Sequence, residues 1–363
     1  MRLTLSFAFI VLLAIFFATA CSKNPQPQLV QQQIFTFGTL IDISIWSKDK
    51  EKAQQAIQAV SAEMEFLHDA WHPYKGGPLT RVNQLLKTGE TFSINPSVLP
   101  LLAPASKLSI QSEGLFNPAI GQLIRLWHFD QFDQKHSSQE PLQPPAPKAI
   151  SKLLQSAPKM SDIEINDIRL KSLNPAVELD FGAFAKGVAV NRAIEKFQEL
   201  GFKDVLFNAG GDLKVLGQKG ERHWRIGIRN PFYHLDSQHP VIASLELHDQ
   251  ESAFTSGDYE RFFDYQGKHY HHIIDPRTGY PATGFHSVTI VHQDAALADA
   301  AATALFIAGP KDWQRIARKM GIDMVMIIDQ KQSLIMTEKM AQRIQVENAE
   351  IKQNIIPAIS ENL

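Results

Sequence analysis

The chain has 363 residues, with 36 Lys+Arg against 38 Asp+Glu, 44% hydrophobic residues and a formal charge of -2. That composition belongs to a globular chain long enough to bury a large core and excludes bulk disorder. The even charge balance argues against a nucleic-acid partner, which would call for a basic excess, and the single cysteine excludes a disulfide framework or a multi-Cys zinc or iron–sulfur site.

Arg2 opens the chain, residues 3–20 are almost wholly apolar, and Ala18, Thr19 and Ala20 lead into Cys21. A charged start, an apolar stretch and small residues are the parts of a secretory signal. The cysteine directly after them makes the segment resemble a bacterial lipoprotein signal, with Cys21 lipidated, although Ala18 stands where that motif usually has Leu. An uncleaved membrane anchor is the alternative. Either reading places the folded body in the cell envelope, periplasm-facing and anchored to a membrane, with inner or outer membrane left open. Residues 22–33 are Gln- and Pro-rich and read, with Cys21, as a flexible tether over 21–33.

Phe35 to Ile45 alternates as a strand, and Ile57, Val60, Met64 and Leu67 mark an amphipathic helix. The stretch 131–149, with Pro141, Pro144, Pro145 and Pro147, reads as a long polar loop. A second helix follows Lys186, with Val190, Ile194 and Phe197 on one face and Gly201 at its end. Short strands are expected over 205–207, 225–228, 241–247, 269–274 and 287–291. An Ala-rich helix from Ala298 to Ala308 stops at Gly309-Pro310, and a further helix and a strand pair near Asp323 to Met336 follow. We read a single large mixed α+β domain over 34–345, with 346–363 as a tail.

Three clusters carry chemistry. In the first, Val177 to Gly187, a strand-like start runs into Gly182, Lys186 and Gly187 before a helix; free N–H groups and a lysine charge there suit a phosphate, and taken alone the segment also fits an ordinary strand-to-helix turn. The spacing is neither a P-loop nor a dinucleotide fingerprint. The second, Asn208 to Asp212, holds paired glycines that fit either a ligand approach or a hairpin turn. The third comprises Thr255-Ser256-Gly257-Asp258-Tyr259, His271 to Gly279 and Ala298 to Thr303. Asp299 and Thr303 are four apart on a helix and share a face; their hard oxygens suit Mg²⁺, or Asp299 merely serves the helix start. Adjacent His271 and His272 point to opposite faces of a strand, so at most one faces a site.

In this order, with Gly38-Thr39, Gly114-Leu115-Phe116-Asn117-Pro118, Leu126-Trp127 and Trp224-Arg225-Ile226, these segments resemble the ApbE family, the FAD:protein FMN transferases. The resemblance implies an ApbE-like architecture and a Mg²⁺-dependent enzyme. It splits FAD and joins FMN to a Thr or Ser hydroxyl of an acceptor, a subunit of a membrane redox complex, releasing AMP. It implies Ala183, Asp299 and Thr303 as metal ligands and Phe37, Leu115, Phe116, Asn117, Asp180, Lys186 and Ile274 as flavin and pyrophosphate contacts. His272 becomes the base for the acceptor hydroxyl, working from an ordinary imidazole pKa of ~6.5. Phe37 stands where many members have Met, and Trp71 or Tyr74 is the ring that stacks on the flavin. A Mg²⁺-dependent FAD pyrophosphatase and a non-catalytic FAD-storage lipoprotein are the alternatives.

Overall fold

The computed structural model describes residues 26–129, 142–232, 240–348 and 350–357. The expected signal and Cys21 lie outside the described residues, as do Pro141 and much of the expected loop. Nine strands form one sheet in chain order: β1 (Gln28–Thr36), β2 (Thr39–Ser47), β3 (Val205–Ala209), β4 (Asp212–Leu216), β5 (Ser252–Gly257), β6 (Phe285–His292), β7 (Val325–Asp329), β8 (Leu334–Thr337) and β9 (Gln353–Ile356). Neighbours are antiparallel except β8 and β9.

Period-2 alternation separates two cores. Ile43, Phe207 and Ile327 face α1 (Lys50–Trp71), α2 (Ala185–Glu199) and α3 (Ala295–Met320). Val215, Met326 and Ile328 pack instead against a three-stranded sheet carrying Trp224, Ile242 and Leu245. Covered on both faces, β7 therefore reads as an unbroken apolar run. Among the described residues no helix is long and apolar enough to cross a membrane.

Several sequence expectations change. The alternating run from Phe35 to Ile45 is a hairpin rather than one strand: it turns at Phe37 and Gly38, whose φ angles of 54° and 69° match the twist of a tight hairpin. The expected tether enters the sheet at Gln28, because Val30 buries its side chain against the core. The expected tail returns as β9, paired in parallel with β8. A helix already starts at Pro147, where the missing N–H costs nothing in a first turn, so the loop is shorter than its prolines imply. The strand expected over 269–274 ends at His271. The Ala-rich helix breaks at Gly309 as expected, with φ 68° just before Pro310.

The turns β1–β2 and β3–β4 and the C-terminal end of β5 lie at one end of the sheet, since Ile41 pairs with Ala209 and Ala253 with Leu213. The first turns of α2 and α3 meet there. A Cβ on Gly187 would sit 2.3 Å from the Ala295 carbonyl oxygen and 2.7 Å from Ala296 Cα, so only glycine admits this helix contact. Gly187→Ala is expected to lower unfolding free energy by about 1–3 kcal/mol, measured by denaturant titration, because backbone atoms cannot yield as a flexible side chain would.

Candidate active site

That end of the sheet opens into a cleft of about 980 Å³. It gathers Phe37, Tyr74, Leu115, Phe116, Asn117, Asp180, Ala183, Lys186, His272, Ile274, Asp299 and Thr303 on its walls.

One end is aromatic. Phe37, at the hairpin tip, meets His68 edge-on at 5.4 Å and Trp71 at 6.3 Å, and His72 lies 6.0 Å from Tyr74. Burial, helped by the Lys75 charge, pushes the His72 imidazole down to about 4 and lowers His68 as well, so both rings are uncharged at neutral pH. Trp71 is 5% exposed and donates from Nε1 to the Ser97 carbonyl at 2.8 Å, which makes it a wall of the cleft. Tyr74 is half-buried, and its hydroxyl donates to Asp180 Oδ2 at 2.8 Å. Asp180 also accepts from the Gly182 N–H at 2.8 Å; burial nevertheless raises its carboxyl, and the two donors only offset this. Leu115, Phe116 and Ile274 supply buried apolar surface. Both ends of the Asn117 amide serve the backbone: Nδ2 donates to the Pro158 carbonyl at 2.9 Å and Oδ1 accepts from Ala119 N at 3.1 Å. That side chain shapes the loop holding Leu115 and Phe116.

The other end is charged. Lys186, in the first turn of α2, is ion-paired with Asp212, whose Oδ1 accepts from Thr255 N at 3.0 Å. Burial opposes the lysine charge, but Asp212 and Asp299 outweigh it and raise its pKa. Asp299 and Thr303 lie one turn apart on α3, as their spacing requires, with Thr303 Oγ1 3.0 Å from Ser256 Oγ. Asp299 Oδ2 accepts from Gly187 N at 2.9 Å. That donor would otherwise close the helical bond to Ala183, so the Ala183 carbonyl accepts no hydrogen bond from the described residues. Burial raises the Asp299 carboxyl strongly, the mark of an anion held without enough compensating charge.

His272 also differs from expectation. Burial first, then the Arg261 charge, then His271 and Lys186, push its imidazole down to about 3 in the ligand-free protein, far from an ordinary histidine. Its Nδ1 is buried without a partner among the described residues, which leaves Nε2 for the cleft. His271 points the other way and its Nε2 meets the Ala282 carbonyl at 2.8 Å, as alternation in a strand demands.

Sequence reading missed Asp212, Arg261, His68 and His72. Asp212 lies within the Asn208 to Asp212 cluster, without a role assigned to it there, and Arg261 stands two residues beyond Tyr259, next to a recognised motif. His68, Trp71 and His72 share the i, i+3, i+4 spacing of one helix face, a signal present in the sequence.

A family model described as "ApbE family" matches residues 37–326. A Rhodobacter capsulatus protein named FAD:protein FMN transferase is 38% identical over 321 residues, 88% of this chain and 59% of that one. A Klebsiella pneumoniae protein of the same name is 34% identical over 218 residues, 60% of this chain and 64% of that one. This chain thus aligns with less than two thirds of the length of either relative. Among solved structures, the ApbE protein of Thermotoga maritima superposes with a TM-score of 0.77 at 28% identity, covering 87% of this chain and 99% of that one.

Proposed function

The chain belongs to the ApbE family, and on that premise we propose that it transfers FMN from FAD to a Thr or Ser hydroxyl of an acceptor protein, with Mg²⁺ as cofactor and AMP as the leaving group. The observation that carries this reading is the convergence of an aromatic wall, a paired lysine, a buried helical carboxylate and a histidine on one cleft.

The cation requirement follows from charge. Among the described residues the cleft walls carry Lys75, Lys186, Arg229 and Arg261 against Asp69, Asp180, Asp212, Glu260 and Asp299, four cations against five carboxylates. A doubly anionic pyrophosphate entering such a site needs further positive charge. Asp299, Thr303 and the unengaged Ala183 carbonyl are hard oxygen donors on adjoining turns and would hold Mg²⁺. When bound, the ion neutralises charge on the phosphate oxygens. Among the described residues no group of three or more His, Cys, Asp or Glu side chains could hold a metal ion.

The protein's own groups then do the following. Phe37, Tyr74, Leu115 and Phe116 hold the flavin ring. Lys186 neutralises pyrophosphate charge and is kept protonated by Asp212. The acceptor oxygen attacks the FMN-side phosphorus, the bond to the bridging oxygen breaks, and its electron pair leaves on AMP. The hydroxyl proton passes to His272 Nε2. Tyr74 is the stacking ring in this reading, because Trp71 is fixed in the wall. Tyr74→Ala is expected to weaken FAD binding by about tenfold, read from flavin fluorescence, while Tyr74→Phe stays within a few-fold.

The test incubates the chain with FAD, Mg²⁺ and a flavin-acceptor domain, followed by in-gel flavin fluorescence and intact mass. Metal-dependent gain of an FMN moiety on the acceptor is the expected result. FAD cleavage without attachment would replace the reading with a pyrophosphatase. FAD bound but uncleaved would replace it with storage. We further propose envelope localisation through a lipidated Cys21, supported by the signal-like residues 1–21; the acceptor would then be a subunit of a membrane redox complex.

A further inference from the structure

We propose that Arg261 is a further catalytic residue of this cleft, its guanidinium contacting the pyrophosphate beside His272 and compensating the charge that builds on the departing AMP phosphate. The inference rests on the transferase reading and adds a residue to it.

Strand pairing places the two side chains together. The hairpin formed by Phe262–Tyr265 and Lys268–His271 pairs Phe262 with His271. The ladder extends one step further, because His272 N donates to the Arg261 carbonyl at 3.0 Å. Directly opposed residues of an antiparallel pair share a face, with Cβ atoms about 4.5–5.5 Å apart. Arg261 and His272 both line the cleft, together with Lys186.

Among the described residues Arg261 also lacks an ion-pair partner, a lack it shares with Arg229 on the same cleft. Arg125, Arg192, Arg225, Arg277, Arg315 and Arg343 all pair with carboxylates. Half-buried Arg261 has no carboxylate within ion-pair distance and no side-chain hydrogen bond among the described residues. Lys186, by contrast, already spends much of its charge on Asp212. Of the two cleft arginines, Arg229 lies over the Tyr259 ring at 5.8 Å, which leaves Arg261, beside His272, with its fork of N–H donors open to a ligand, and a phosphate is the ligand that fork matches.

The chemistry is consistent with that placement. As the acceptor oxygen bonds to phosphorus and the bridging bond breaks, negative charge moves onto the leaving phosphate, where a guanidinium stabilises it. The groups acting on His272 are Arg261 from the opposite strand, His271 beside it and Lys186 from α2, none of them anionic. A phosphate engaged by Arg261 offsets part of the positive charge that, after burial, resists protonation of His272, so bound substrate favours proton transfer.

The experiment compares the full chain with Arg261→Gln and Arg261→Lys, titrating FAD and riboflavin by flavin fluorescence and measuring transfer at saturating FAD. Arg261→Gln is expected to weaken FAD binding by ~10–100-fold and to slow transfer at least ~10-fold, with riboflavin binding and the ligand-free unfolding midpoint unchanged. Arg261→Lys should recover part of both losses, restoring the charge but not the fork. FAD affinity and transfer at wild-type levels in Arg261→Gln would overturn the inference. So would an equal loss for FAD and riboflavin, or a lowered unfolding midpoint, which would mark a structural arginine. A wild-type chain that neither binds nor cleaves FAD would overturn the transferase reading itself, and this inference with it.

Discussion

Asp299→Asn is expected to reduce FMN transfer by about 10²–10³-fold and to remove its dependence on Mg²⁺ concentration, while leaving the fold intact. The substitution keeps size and shape, and an amide oxygen can still accept from Gly187 N, which Asp299 Oδ2 does at 2.9 Å. What disappears is the negative charge. Without it, Thr303 and the Ala183 carbonyl are neutral donors, too weak together to bind a strongly hydrated cation. The ligand-free protein should become more stable. Burial raises the Asp299 carboxyl to about 7, so at neutral pH the folded state either buries the ion or takes up a proton that the unfolded chain does not bind, and both cost stability. A neutral amide removes that penalty, and the unfolding midpoint is expected to rise by about 2–4 °C. Activity measured against Mg²⁺ concentration, beside a thermal scan without metal, separates the two effects. Unchanged Mg²⁺ dependence in Asp299→Asn would remove Asp299 from the metal site.

The sequence carries part of this site as spacing. The spacing of Asp299 and Thr303 fixes a shared face in an Ala-rich, buried helix, while an aspartate serving the helix start fits the same residues. Lys186 between two glycines at a helix start fits an anion site and an ordinary strand-to-helix turn alike. The convergence of these segments with Phe37 and Tyr74 was not readable from any one of them; it required the ordered set that resembles a family. The misplacements have local physical causes. Phe37 adopts a positive φ that aromatic residues rarely take, so the hairpin tip looked like mid-strand. The polar start of β1 is compatible with a sheet edge, where Gln31, Gln32 and Gln33 stay exposed on a strand anchored by Val30. Arg261 and Asp212 escaped because their roles depend on strand register and on which carboxylate pairs with which cation. No one-dimensional spacing reports either.

His272 supplies the second large effect, and its sign can be worked out from its environment. In the ligand-free protein the imidazole sits at about 3, chiefly through burial and then through Arg261. It is therefore neutral, and able to accept a proton, across the whole range from about pH 5 to 8. His272→Ala is expected to slow transfer by about 10²–10⁴-fold with FAD binding retained, the ordinary cost of losing a general base. In the wild-type protein kcat/KM, which reports the free enzyme, should show no acid limb from His272 above pH 5. An acid limb belongs in kcat alone, because bound pyrophosphate places negative charge beside the ring and raises its pKa. A stability consequence runs alongside. The unfolded chain binds a proton at this histidine near pH 6.5 and the folded protein does not until about 3, so stability falls as pH drops through that window. Up to about 2 kcal/mol should be lost between pH 6.5 and 5. His272→Gln should reduce that slope, leaving His72, His68 and His271, which have the same sign, against the raised carboxyls of Asp180, Glu260 and Asp299, which have the opposite one. Denaturant titrations at a series of pH values measure the slope directly. Near-wild-type transfer by His272→Ala across the range would assign the proton to another acceptor, and a pH-stability slope unchanged in His272→Gln would show that the ring is solvated in the folded protein.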